Sequence, residues 1–302
     1  MDSTEDSDVT RLIVGYDGRK RSDDALVLGR VLAGALGAEL LVAAAVNYEP
    51  AKIDVSDHNQ ARSAFFEEAF DRAESVLAGV EFKRVELQDS PAHSLHSLAE
   101  STKAAMIVVG SSHRGPAGLI VPGSVAERLL HGSPCPVAIA PSGYSGRDGW
   151  ISSIMVAVDG RPPSQLARDF AVDLARRLQA QLTLARVGPD IRWGAIAPPP
   201  LEEIDEANRR SLKAALEDIP EDVESDSRYY VGDPAEELAR HSAACDLLVL
   251  GSRGYGPIRS VLLGGVTSFV VRNAATPVVV VPRGAETGDS AHGKLLGATA
   301  IA

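Results

Sequence analysis

Short apolar runs alternate along the chain with longer segments in which apolar residues recur every three or four positions. The first run, residues 11–16 (RLIVGY), precedes a segment at residues 23–36 whose spacing favours an amphipathic helix. Further apolar runs, such as residues 39–46 and 106–110, are separated by segments of the same helical periodicity. Strands that alternate with helices are typical of right-handed crossovers and a parallel sheet. The pattern therefore predicts an α/β fold with a doubly wound parallel sheet.

The pattern occurs twice. RLIVGYDG at 11–18 returns as SIMVAVDG at 153–160, and SPCPVAIAP at 133–141 returns as AATPVVVVP at 274–282. A near-constant offset over the whole length indicates a duplication: Asp17 and Asp159 lie 142 positions apart, and Gly110 and Gly251 lie 141 apart. We predict tandem domains at 10–141 and 152–283, a linker at 142–151 and a mobile tail at 284–302.

Polar residues at the strand ends predict where a ligand binds. In open parallel sheets, ligands lie beyond the carboxyl ends of the strands, at the point where the strand order reverses. An Asp-Gly pair ends the first strand of each half, and a serine, Ser22 or Ser164, follows at a position that can cap the next helix. Both glycine-rich loops also follow strands, so we expect the site there.

Composition limits the partners. The formal net charge of -11 disfavours broad nucleic-acid binding, because the acidic surface repels phosphate backbones. The two cysteines, Cys135 and Cys245, form neither a disulfide framework nor a CxxC metal pair, and His93 and His96 lack a convincing third ligand. The acidic N-terminus and the absence of an apolar run of membrane-spanning length favour a cytoplasmic protein without a membrane partner.

The glycine-rich loops have the chemistry to hold phosphate. Gly251, Gly254 and Gly264 are separated by two and nine residues, and Gly265 follows. Glycines let the backbone approach a ligand closely, and a helix that begins beyond them offers free amides to an anion. In the first half, Gly110 and Gly123 have the same separation, Ser124 follows, and His113 occupies the position that matches Gly254.

This pattern, with an Asp at the end of the first strand, resembles the ATP-binding universal stress proteins in both halves. The resemblance implies an adenine-nucleotide α hydrolase-like fold and ATP as ligand, with or without Mg²⁺. It implies that Asp17 or Asp159 holds the ribose, and that adenine meets the backbone near Val46 or Val187. It also implies that the phosphates are wrapped by the loop residues, namely Gly110, Gly123 and Ser124, or Gly251, Gly254 and Gly264. His113 departs from the pattern in the first loop, and Gly265 departs in the second, where it replaces a hydroxyl residue.

Structural alternatives exist for each of these residues. Ser124 and Glu127 have the spacing of a capping box, and the aspartates at the strand ends are able to form Asx-turns. The glycines are also able to serve only as turns from strand to helix.

We weigh three functions: a stress-response ATP-binding sensor or regulator without turnover, a nucleotide-free interaction module of the same fold, and a weak ATPase or adenylyl-transferring enzyme. The first is favoured, because no nucleophile–base constellation is readable. The second half of the chain, which keeps all three loop glycines, is predicted to bind ATP more tightly than the first half. The apolar last strands also predict an intramolecular pseudo-dimer of the two halves, and further homodimerisation is left open.

Overall fold

The computed structural model describes residues 9–45, 55–88, 90–112, 120–146, 149–189, 201–252 and 264–283. The chain forms two compact units; the second contains Trp150–Glu286 together with the short segment Leu130–Gly132. Each unit contains five strands, all paired in parallel, and four described α-helices. The predicted fold class, two copies of a doubly wound parallel sheet, is confirmed.

The first unit follows the predicted alternation of strands and helices. Its elements are β1 (Arg11–Tyr16), α1 (Asp23–Leu36), β2 (Glu39–Ala45), α2 (Val55–Leu77), β3 (Lys83–Leu87), α3 (Pro91–Thr102), β4 (Met106–Gly110), α4 (Ser124–Leu130) and β5 (Val137–Ala140). The strands lie in the order β3-β2-β1-β4-β5. The chain thus moves outward from β1 and then returns to its other side. The reversal falls between β1 and β4, where a crevice opens at the carboxyl ends of the strands.

Helices cover both faces of this sheet. A side chain added at Gly29 of α1 would overlap Val14, so this helix lies directly on β1. A side chain added at Gly15 would meet Leu95 of α3 at 2.9 Å. Successive strand residues point to opposite faces, so α1 and α3 lie on opposite sides of β1.

The second unit repeats the topology. Its elements are β6 (Ser153–Ala157), α5 (Pro162–Leu178), β7 (Gln181–Gly188), α6 (Leu201–Glu217), β8 (Ser225–Val231), α7 (Pro234–His241), β9 (Leu247–Gly251), α8 (Gly265–Asn273) and β10 (Val278–Val281). The order β10-β9-β6-β7-β8 places the reversal between β6 and β9. Across the described part of the chain, none of the helices combines the length and the apolar character needed to cross a membrane.

The predicted serine caps are wrong in both units. Ser22 precedes α1 but has helical backbone angles, and its side chain makes no capping hydrogen bond. Helix α5 begins earlier than predicted, at Pro162, so Ser164 lies inside its first turn. Proline favours the first helical position because its φ is already helical and it has no N–H to satisfy.

The predicted linker begins with ordered structure. Residues 144–146 form a short 3₁₀ turn, and Tyr144 is buried. The carboxylate of Asp24, on α1, accepts hydrogen bonds from the backbone amides of Gly143 (2.8 Å) and Ser145 (2.7 Å). The chain after β5 is therefore fastened to the first helix of its own unit. The predicted tail at 284–302 lies outside the described residues.

Candidate nucleotide-binding site

The Asp-Gly pair after β1 forms a closed turn. Asp17 Oδ1 accepts a hydrogen bond from the Arg19 amide at 3.1 Å, and Gly18 adopts a φ of +73° that favours glycine. The Ser22 hydroxyl donates to the Arg19 carbonyl at 2.8 Å and accepts from the Asp17 amide at 3.4 Å. Ser22 therefore closes this turn instead of capping the helix.

The turn after β6 has the same construction. Asp159 Oδ1 accepts from the Arg161 amide at 2.9 Å, and Gly160 has a φ of +80°. The Ser164 hydroxyl donates to the Arg161 carbonyl at 2.9 Å and accepts from the Asp159 amide at 3.2 Å. The Asx-turn expected as an alternative is thus present in both units. The turn uses Oδ1 of each carboxylate, and in the second unit Asp159 Oδ2 also lies 3.9 Å from Arg161 Nε.

The first unit contains a cavity of about 890 Å³ at its strand-order reversal. Four predicted site residues line it together: Asp17 from the turn, Gly110 from the end of β4, and Gly123 with Ser124 at the start of α4. Two other predicted residues, Val46 and His113, lie outside the described residues. The structure therefore gathers every predicted site residue of this half that it describes.

The floor of the cavity is apolar. Ala43 and Ala45 of β2 lie beside Leu87 at the end of β3, and Pro91 and Leu95 of α3 complete the surface. Sequence reasoning did not single out these residues. The signal was present in the alanine run of β2 and in the Ser-Pro-Ala start of α3, but the strand register was needed to bring them together.

The glycine-rich loop of the first unit is closed at its base. Ser111, just after β4, accepts a hydrogen bond from the Val121 amide at 2.7 Å, and its hydroxyl contacts the Val121 carbonyl at 3.2 Å. The amide of Ser112 donates to the same carbonyl at 2.6 Å. This clamp fixes where the chain returns to the cavity, immediately before Gly123.

Gly123 is not required by packing. Among the described residues, a Cβ at this position would meet only Ser112, at an ordinary 3.8 Å. The Glu127 amide donates to the Gly123 carbonyl at 2.9 Å, so Gly123 is the N-cap and Ser124 is the first helical residue. The alternative that Ser124 caps the helix in a capping box is therefore wrong. Space for a close backbone approach fits a phosphate group at Gly123.

A buried polar cluster supports the wall of the cavity. The Tyr16 hydroxyl, at the end of β1, donates to Asp23 Oδ1 at 3.1 Å, and Arg72 Nε of α2 donates to the same oxygen at 3.0 Å. Burial, together with the neighbouring Asp23 carboxylate, raises the pKa of Tyr16 well above its usual value. The hydroxyl therefore stays protonated and positions the strand end from which Asp17 extends.

In the second unit the predicted residues lie at the same edge of the sheet. Asp159 follows β6, Val187 lies in β7, and Gly251 ends β9, while Gly264 and Gly265 lie at the start of α8. The Thr267 hydroxyl donates to the Gly251 carbonyl at 3.2 Å and ties α8 to β9. Gly254 lies outside the described residues.

Packing requires a glycine at one position of the second unit's loop pattern but not at another. A Cβ at Gly251 would overlap the carbonyl oxygen of Pro163, so helix packing alone explains this glycine. A Cβ at Gly265 would meet no atom of the described residues within 4 Å. Gly264 has extended backbone angles that any residue adopts. Close packing therefore accounts for Gly251 but not for Gly265.

The strand registers show which positions of the two halves match near the end of the second strand. Gly15 pairs with Ala43 in the first unit and Ala157 pairs with Ala185 in the second, so Val187 matches Ala45. Ala45 pairs with Leu87, and Val187 pairs with Tyr230. Tyr230 stacks on His241 with ring centroids 3.8 Å apart. At these positions, the second unit carries larger side chains than the first.

The two cysteines have the environment of packing residues. Burial raises the pKa of Cys135 to about 12 and that of Cys245 to about 12. A thiol that stays protonated is a poor nucleophile and a poor metal ligand.

Comparison with known proteins gives the same family for both halves. A sequence profile of the universal stress protein family matches residues 9–141 and 151–282. A universal stress protein of Mycolicibacterium smegmatis is 33% identical over 191 residues, which are 61% of this chain and 64% of that protein. One from Mycobacterium tuberculosis strain H37Rv is 34% identical over 185 residues, or 60% and 62% of the two chains. The aligned part thus spans less than two thirds of these relatives.

Solved structures share the fold. A universal stress protein from Archaeoglobus fulgidus DSM 4304 aligns with a TM-score of 0.64 and 21% identity, covering 91% of this chain and 98% of that chain. A putative universal stress protein from Pseudomonas aeruginosa aligns with a TM-score of 0.63 and 17% identity, covering 92% and 94%. Together with the profile match in both halves, these findings show that the chain belongs to the universal stress protein family, as a tandem two-domain member.

Proposed function

We propose that this protein binds an adenine nucleotide, ATP in particular, in the cavity of the first unit. The observation that carries the proposal is that this one cavity gathers Asp17, Gly110, Gly123 and Ser124. Its volume of about 890 Å³ is in the range of small-molecule sites, and its position is the crevice where ligands of open α/β sheets bind.

The parts of the cavity match the parts of a nucleotide. The floor around Ala43, Ala45 and Leu87 offers an apolar surface for the base. Asp17 offers its Oδ2 to the ribose hydroxyls. Its Oδ1 accepts the Arg19 amide, whereas Oδ2 accepts no hydrogen bond from the described residues. Gly123 and Ser124 border the space left for the phosphates. Mg²⁺, where it accompanies ATP, would be held mainly by the phosphates themselves.

The biochemical role we propose is that of a stress-response sensor or regulator that does not turn the nucleotide over. Among the described lining residues, Asp17 is the sole carboxylate, and one of its oxygens is used by the turn. The Tyr16 hydroxyl is committed to Asp23. These groups support binding, but they do not form a nucleophile–base pair.

The sequence-based ranking of the two halves stays a prediction, because its deciding residues, His113 and Gly254, lie outside the described residues. We nevertheless place the proposal in the first unit. Its cavity has Ala45 and Leu87 in the floor, while the larger Val187 and Tyr230 occupy the matching positions of the second unit.

Calorimetric titration with ATP, together with native mass spectrometry for stoichiometry, tests the proposal on matched variants. Asp17→Ala should weaken ATP binding by about 10- to 100-fold, the effect of losing hydrogen bonds to a charged acceptor. Asp159→Ala is the matched control, because it removes the same carboxylate from the same turn, and it should have a smaller effect. Asp17→Asn keeps an acceptor for the Arg19 amide, so the turn is preserved. A loss of ATP affinity in this variant therefore shows that the carboxylate itself contacts the nucleotide.

Two results would contradict the proposal. One is the absence of ATP binding by the wild-type chain at millimolar nucleotide. The other is equal loss of affinity in Asp17→Ala and Asp159→Ala. Repeating the titration with and without Mg²⁺ measures the contribution of the cation.

A further inference from the structure

Three consecutive cations lie on the rim of the first unit's cavity. Arg19, Lys20 and Arg21, the rim cations, line the cavity although their side chains are exposed. Their backbone is fixed by the turn, because Ser22 holds the Arg19 carbonyl with its hydroxyl at 2.8 Å and with its amide at 2.9 Å. The rim cations are therefore held beside the cavity by the fold, although each side chain is long and mobile at its tip.

The charge of this rim is opposite to that of the whole protein. The chain has a net charge of -11, yet Asp17 is the sole acid among the described residues that line the cavity. Within the described part of the chain, Arg19 and Lys20 form no ion pair that would neutralise them. A local excess of positive charge in a concave site attracts anions and raises their local concentration.

The second unit does not share this feature. The positions that match the rim cations are Arg161, Pro162 and Pro163, so two of the three charges are absent. The turns themselves have the same hydrogen bonds in both units, with Asp17 and Asp159 in the same place. The extra cations are therefore not required to build the turn.

The rim lines the same cavity as the proposed ribose and phosphate positions. The Arg21 carbonyl is 3.4 Å from the place of a Cβ on Gly110, so the turn borders the end of β4 directly. Asp17, the rim cations and Gly123 all line this one cavity. A phosphate chain that extends from a ribose at Asp17 therefore lies in the same cavity as the rim cations.

We propose that Arg19 and Lys20 make the first unit select its ligand by phosphate charge, so that a nucleoside triphosphate binds more tightly than the monophosphate of the same base. The inference rests on the proposed function, since it concerns the same cavity. It assigns the selectivity to the turn after β1, outside the glycine-rich loop.

The test compares ATP, AMP and adenosine by calorimetry at low and high salt. All chains carry Asp159→Ala, so that the Asp turn of the first unit alone is intact. Arg19→Ser with Lys20→Ser should weaken ATP binding by about tenfold at low salt and AMP binding by about twofold, while adenosine binding stays unchanged. The salt dependence of ATP affinity should also decrease, because fewer ions are displaced on binding.

A matched control removes two exposed cations elsewhere. Arg210→Ser with Lys213→Ser changes the net charge equally on α6 and should leave the ratio of ATP to AMP affinity unchanged. Equal losses for ATP and adenosine would overturn the inference, because they would show a change in the shape of the site. Unchanged ATP affinity in the Arg19, Lys20 variant would overturn it while leaving nucleotide binding intact. If the wild-type chain binds no adenine compound, the proposed function falls as well.

Discussion

The two units share the same backbone arrangement but differ in the side chains beside the turn after the first strand. In both, an Asx-turn after the first strand is closed by a serine, with equivalent hydrogen bonds between 2.8 and 3.4 Å. Along the neighbouring strands, the first unit has Gly15, Ala45 and Leu87, where the second has Ala157, Val187 and Tyr230. Each substitution adds bulk on the second unit's side. The turn is therefore the same in both units, whereas the side chains beside it are larger in the second.

A matching pair of serines follows β4 and β9. Ser111 fastens the glycine-rich loop of the first unit through Val121. Its counterpart Ser252 is 1% exposed, donates its amide to the Val281 carbonyl at 2.9 Å and accepts from the Arg283 amide at 3.1 Å. Among the described residues, the Ser111 bonds order a loop at the crevice, and the Ser252 bonds join the end of β9 to the last strand of its unit.

The largest expected effect is a difference in stability between alanine substitutions at two matching glycines. Gly251→Ala should destabilise the second unit by about 3 kcal/mol, because the new Cβ would overlap the Pro163 carbonyl and one of the two backbones must move. Gly110→Ala should cost less than about 1 kcal/mol, since its Cβ would stand 3.4 Å from the Arg21 carbonyl. Urea unfolding followed by circular dichroism measures both. Equal costs would show that the two strand ends are packed alike.

The next effect concerns the floor of the second unit. Val187→Ala with Tyr230→Leu copies the floor of the first unit and should strengthen ATP binding there by about fivefold, because steric crowding worth about 1 kcal/mol is removed. Titration in a chain that carries Asp17→Ala isolates the second unit. The reciprocal control, Ala45→Val, should weaken binding in the first unit. If both variants leave the ATP affinity unchanged, the side chains beside the base do not cause the difference in affinity between the units, and the phosphate loop must cause it.

The smallest expected effect is a pH-dependent one. Asp246 is partly buried, which by itself raises its pKa, but hydrogen bonds from the amides and hydroxyls of Ser152 and Ser153 outweigh burial and lower the pKa. The first unit has Ala105 at this position. Because the folded pKa lies below the unfolded one, the stabilisation is complete above the unfolded pKa of about 3.9 and is lost as pH falls through the folded pKa.

Asp246→Asn should therefore lower the free energy of unfolding by about 1 kcal/mol at pH 7, and the difference from wild type should shrink below about pH 4. Urea midpoints measured at pH 7, 4 and 3 follow this change. Glu221→Gln, which removes an exposed carboxylate from the same unit, serves as the control. A wild-type-minus-variant difference that is constant with pH would contradict the assignment to a titrating carboxylate.

The fold was predictable because the repeat supplied the same pattern twice. Periodicity distinguished strands from helices, and the aspartates and glycines after strands indicated the crevice. Helix starts were less predictable: Ser164 has the sequence of an N-cap, but Pro162 starts α5 earlier. The floor of the cavity was not predictable, because Ala45 and Leu87 are 42 positions apart and become neighbours only through the strand register.

The roles of individual glycines were also hidden from the sequence. Gly251 and Gly265 both belong to the loop pattern, yet a helix backbone requires the first, and no described residue contacts a Cβ placed on the second. That distinction depends on atoms from α5, which enter the loop's surroundings only after folding.

The contact between Asp24 and the chain after β5 determines where the first unit can be excised from the tandem protein. The family match ends at residue 141, and a cut there would remove the amides of Gly143 and Ser145 that the carboxylate binds. Asp24 is 2% exposed, so the cut would leave a buried charge without its hydrogen-bond donors. Tyr144, buried at 3% exposure, would be lost with them. A fragment intended to fold alone should therefore extend to Gly149, eight residues beyond the apparent end of the domain.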